Sequence, residues 1–83
     1  MILINFEPME FLNRITINPN ICHGKPCIRG MRWPVEVALD LIASGMSFSE
    51  IILDHPELER EDLIAVMEFA KRSVSGIALT STA

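Results

Sequence analysis

The chain has no tyrosine, a single tryptophan and only two cysteines among its 83 residues. Two thiols allow at most one bridge, so no disulfide framework can carry the fold. No stretch approaches the roughly 18 uncharged apolar residues of a membrane-spanning helix. The start, MILINFEPMEF, has neither the cationic run nor the small-residue cleavage site of a secretory leader, and a cytoplasmic location is the expectation. There is no G-x-x-x-x-G-K phosphate loop and no serine set with a histidine base in a recognisable motif, so an enzyme is not expected. Internal repeats and low-complexity segments are missing too. From Phe11 to Val35 there is not one acid.

That local lack of acids conceals a division behind the net charge of -4. Arg14, Lys25, Arg29 and Arg32 give the segment +4, whereas residues 36–83 carry nine acids against three bases. A basic plate on an acidic helical body favours head-to-body self-association or two different partners. The two halves of one protomer neutralising each other would produce the same pattern. A chain this short buries only roughly 60–65% of its unfolded surface. Its 49% hydrophobic content is generous for that size, which predicts a homodimer that hides the excess.

The most unusual stretch is ICHGKPCIRGMRWPV, residues 21–35. Gly24 and Gly30 tolerate positive φ, while Pro26 and Pro34 fix φ and remove donors, so a turn-rich, well-defined loop is expected. Before it, Arg14-Ile15-Thr16-Ile17 alternates and is β-branched, a short strand ended by Asn18-Pro19-Asn20. A second strand around Cys27 to Arg29 could pair with it. The ribbon would then need helices or a partner copy to lie against.

Helical patterns fill the rest. A first helix should open at Pro34, bury Val35, Ala38, Leu39 and Ile42, and close at Gly45. Ser47-Phe48-Ser49-Glu50 fits a capping box for a short second helix that ends at His55-Pro56. A third should run from about Arg60 to Val74 with an apolar stripe of Leu63, Val66, Met67, Ala70 and Val74. Leu58 and Leu63 would staple its start around Glu59, a poor cap that Glu61 and Asp62 offset through the helix dipole. The fold expected is mainly α: a three-helix, helix-turn-helix-like domain over residues 12–74, preceded by a short N-terminal β ribbon. Residues 1–11 would be an extension and 75–83 a tail.

Residues 12–73 resemble the bacterial family called domain of unknown function 433. The resemblance is carried by GKPCIRG (24–30) followed by Arg32, Pro34 and Val35, by the turn around Ser44-Gly45-Met46-Ser47 leading to Glu50-Ile51, and by LEREDL (58–63). It implies a helix-turn-helix-like, non-catalytic antitoxin that holds a toxin nuclease, often of the PIN type, and contacts its operon's DNA. A protein-protein adaptor or oligomerisation domain that never touches nucleic acid is the competing class.

Helices led by Ser47, Ser49 and Glu50, or by Glu59, Glu61 and Asp62, would meet phosphates with carboxylates, so neither suits a DNA groove. The candidate DNA contacts are Lys25, Arg29 and Arg32, since arginine can fork onto guanine or lie in a narrow minor groove. Both arginines could instead pair with acids of a neighbouring helix. Trp33, Glu59, Glu61 and Asp62 are candidates for holding the partner protein; Trp33 could equally plug the junction of ribbon and helices. Cys22, His23 and Cys27 invite a zinc reading, but His55 is the only further nitrogen donor and there is no second cysteine pair, so neither a metal nor another cofactor is expected.

Overall fold

The computed structural model describes residues 11–75. Strands β1 (Ile15–Thr16) and β2 (Cys27–Ile28) pair antiparallel, with Ile15 opposite Ile28 and Thr16 opposite Cys27. Two residues per strand would not hold alone, and side-chain and backbone bonds extend the ribbon. The Arg29 amide donates to the Arg14 carbonyl at 2.7 Å, and the Gly30 amide to Thr16 Oγ1 at 2.9 Å. Beyond β2 the chain turns back, so that Ile28 and Val35 donate to the carbonyls of Trp33 and Pro26. The loop 21–35 is thus stitched to itself at both ends.

Helix α1 (Val35–Ala43) follows Pro34, whose extended backbone (φ -64°, ψ 141°) makes it the cap rather than the first helical residue. Its end is a Schellman motif. Gly45 at φ 100° lets its own amide reach Ile42 and the Met46 amide reach Leu41, satisfying two carbonyls the helix leaves open. Helix α2 (Phe48–Asp54) begins with the predicted capping box: Ser47 Oγ accepts from the Glu50 amide at 3.1 Å, and Glu50 Oε1 accepts from the Ser47 amide at 2.8 Å. On a seven-residue helix this cap matters. Ser47→Ala should cost about 1 kcal/mol, a fall in Tm of roughly 4–8 °C for a domain of this size, read by thermal melting.

Helix α3 (Arg60–Ser75) is the long element, and α1, α2 and β1 all pack on it. The core is Ile28, Val35, Ala38, Ile51, Leu58, Leu63 and Val66, with Ile15, Trp33, Leu39 and Phe69 among the partly buried side chains against it. The mainly α, three-helix expectation with a short β ribbon holds. The α3 stripe needs correction, since Met67 is 42% and Val74 58% exposed. The buried residues of α3 are Asp62, Leu63, Ala65 and Val66, so its buried face is turned toward Ala65 and leaves Met67 at the margin, while Val74 lies in the exposed last turn. The expected extension and tail lie almost wholly outside the described residues. No described helix is long and apolar enough to cross a membrane.

Candidate functional site

The basic loop reaches the helical body through one carboxylate. Arg29 stands at φ 47°, and its side chain forks onto Asp62 in the first turn of α3, Nε to Oδ1 at 2.9 Å and Nη2 to Oδ2 at 2.9 Å. Its Nη2 also donates to the Glu57 carbonyl at 2.8 Å. From the residue before β1, Arg14 Nη1 adds a bond to Asp62 Oδ1 at 3.0 Å and one to Glu59 Oε1 at 2.7 Å. The Glu59 amide closes the shell on Oδ2 at 2.8 Å, the half of a capping box that an acid at the third helical position supplies.

Asp62 is fully buried and every one of its bonds is charge-assisted or directed at a cap. Burial alone would push its carboxyl up. The Arg29 fork, the Glu59 amide and Arg14 more than reverse this and hold it below the ordinary aspartate value. The guanidinium of Arg14 is raised by its bonds to Glu59 and Asp62, and that of Arg29 by its bond to Asp62. Trp33 Nε1 donates to Glu57 Oε2 at 2.8 Å and lowers that carboxyl, while the indole meets the His55 ring edge-on at 5.2 Å. Glu68, bridged by Arg72 and Lys71, is lowered as well.

These three depressed carboxyls give a sign to the acid response. Each is lower in the native chain than the unfolded values of about 3.9 for Asp and 4.3 for Glu, so below those values the unfolded state binds more protons. Their contribution is complete above the unfolded values and drains away as pH falls through the native ones. Urea midpoints should therefore be level from neutrality to about pH 5 and decline steeply below about pH 4. In Asp62→Asn the decline should be shallower; an unchanged slope would show that Asp62 plays no part.

Lys25 and Arg29 are tied to different parts of the helical body. Lys25 Nζ pairs with Glu36 Oε2 at 3.3 Å, and it lines a groove of about 300 Å³ with Pro26, Leu39, Phe69, Ala70 and Val74. That groove lies beside the last turns of α3, whereas Arg29 is fixed to its first. Asp62 and Ala70 are about 12 Å apart along the helix axis at 1.5 Å per residue. Arg29 is accordingly corrected from a free cation to an internal tie. Arg32 is exposed and makes no ion pair among the described residues.

Among the partner candidates, Asp62 is corrected for the same reason, since a side chain with no exposed surface cannot meet a partner. Glu59 stays more than half exposed although it pairs with Arg14, and Glu61 is exposed. Trp33 is partly buried against the core, as the plug reading has it, with its N–H taken by Glu57. No three His, Cys, Asp or Glu side chains among the described residues converge as metal ligands.

A family model described as protein of unknown function (DUF433) matches residues 15–70. The chain belongs to this family. A crystal structure of a DUF433 member protein from Anabaena variabilis ATCC 29413, at 2.00 Å resolution, superimposes with a TM-score of 0.70 at 29% identity, covering 83% of this chain and 68% of that one. No curated protein matches. In this DUF433 chain the residues that sequence reasoning missed are Arg14, Glu57 and His55. Arg14 lies 48 positions from Asp62, and no spacing rule links them. The visible signal was Asp62 at the third position of a helix whose cap is poor, a place where an acid earns its keep by bonding the cap amide.

Proposed function

We propose that the chain is a non-catalytic regulatory module, antitoxin-like in that it works by occupying a cationic partner protein such as a nuclease, and that it does so as a self-associated unit. One observation carries this reading, the sign of the charge left over after internal pairing. Arg14, Arg29, Lys25, Lys71 and Arg72 all sit in ion pairs. Among the described residues only Arg32 and Arg60 have none, and Arg60 lies over the Phe48 ring at 5.4 Å. Asp40, Glu50, Asp54, Glu57 and Glu61, by contrast, carry no ion pair there and all are exposed. The available field is negative, which draws a cationic groove and repels phosphate.

DNA contact is therefore the weaker half of the antitoxin reading, resting on Arg32 and on Lys25 if it leaves Glu36. Self-association is supported by the uncovered Met67 and Val74 on α3. The test is co-expression with the neighbouring reading frame, followed by copurification at rising salt. The partner should be retained at low salt, and Asp54→Lys with Glu61→Lys, which touch neither the capping box nor the Asp62 cluster, should release it. Duplex DNA should show no salt-dependent retention. Retention of DNA without capture of any partner would reverse the assignment.

A further inference from the structure

Met67 and Val74 are large, apolar and exposed. Seven residues apart, they fall about 20° short of two full turns and so share one face of α3. Ala70 stands between them, and its small side chain lets a second helix approach at the near end of the roughly 8–10 Å range of helix packing. Ala70 and Val74 also line the groove of about 300 Å³, together with Leu39 and Phe69. An apolar seam and an apolar hollow therefore meet on one side of the helix.

The rim of the groove carries both signs. Lys25 and Glu36 pair at 3.3 Å, the longest ion pair among the described residues, and their side chains are 52% and 64% exposed. A partner of one sign would satisfy one of them and be repelled by the other. A second copy of the chain brings the same two signs in reverse order, so that each cation has an anion to meet. The seam admits the same partner: Lys71, the cation nearest its middle, is already bridged to Glu68 at 3.1 Å.

We infer that two copies of the chain join on this face, α3 against α3 antiparallel, about a two-fold axis between Ala70 and Lys71. This rests on the self-association in the proposed function and gives it a place and a register. In an antiparallel pair about such an axis, Met67 stands opposite Val74 of the second copy and Val74 opposite its Met67. That is the reciprocal contact an isologous interface requires. Methionine is unbranched and flexible, which suits an irregular hollow. Met67 of the second copy, reaching past Val74, enters the groove beside Leu39 and Phe69, and the two-fold repeats the contact on the other side.

The experiment follows the full chain by native mass spectrometry and sedimentation across a dilution series. The wild type should be a dimer that dissociates on dilution. Met67→Glu and Val74→Lys each set an unpaired charge against an apolar side chain, and each should raise the dimer Kd by roughly a hundredfold. Made together in one chain they set a carboxylate opposite an ammonium twice, and about tenfold or more of that loss should be recovered. Both positions are exposed, so each variant should keep the far-UV circular dichroism of wild type. If one does not, the wild type decides, because hydrogen peroxide should oxidise Met67 faster in the dilute monomer than in the dimer. Single variants that dimerise as wild type does, a double variant no better than either, or Met67 oxidised equally at all dilutions would overturn the inference while leaving self-association through another face. A wild type monomeric at every concentration would overturn both the inference and the self-association it rests on, and a small molecule carried by that monomer would be the groove's occupant instead.

Discussion

Asp62→Ala should remove a large share of the protein's stability. Removing one partner of a buried ion pair costs about 3–5 kcal/mol, chiefly because the groups left behind were arranged around it. Here it also removes the acceptor for the Glu59 amide and so half the cap of the longest helix. A chain of this length has on the order of 4–12 kcal/mol of stability in all. Because the side chains of Arg14 and Arg29 are 30% and 35% exposed, their guanidinium groups can partly rehydrate, which places the loss toward the lower end. About 3 kcal/mol would still take roughly 10–25 °C off Tm for a domain of this size. Asp62→Asn keeps the shape but turns an amide NH2 toward donors already there, and should fall between the wild type and Asp62→Ala. A melting temperature within a degree or two of wild type in Asp62→Ala would refute the view that this carboxylate joins ribbon to body.

The elements that were legible in the sequence are those governed by local rules. The capping box at Ser47 and Glu50, the glycine closing α1 and the periodicity of Val35, Ala38 and Leu39 each follow from residues within one or two turns of each other. Arg29 was legible only as a cation in an acid-free stretch. Its destination depended on three things no local rule reports: a left-handed backbone at a non-glycine residue, the β1–β2 register that sets Arg14 beside it, and an α3 start lying under both. The charge division of the chain is visible in its composition, and pairing within one protomer accounts for much of the basic half. Met67 and Val74 match the apolar period of α3, but the period does not report that the buried face is turned toward Asp62 and Ala65 or that the last turn is exposed.

The same geometry separates two arginines that the sequence treats alike. Arg29→Ala should cost about 2 kcal/mol, less than Asp62→Ala because Arg14 and the Glu59 amide still hold the buried carboxylate, yet far more than a surface change. Arg32→Ala, exposed and outside every described ion pair, should lie within about 0.5 kcal/mol of wild type. Arg29→Gly adds a finer comparison. At φ 47° alanine keeps the left-handed cost that glycine escapes, so the glycine variant should be the more stable of the two by about 1 kcal/mol. Thermal and urea melts of the three variants measure this directly. The ordering also dictates how nucleic-acid experiments must be read. Loss of a gel shift in Arg29→Ala would follow from a loosened ribbon as readily as from a lost phosphate contact, whereas loss in the stable Arg32→Ala would point to the surface itself. A double-mutant cycle between Arg29 and Asp62 should show coupling of at least about 1 kcal/mol, and additive effects there would leave Arg29 a surface residue after all.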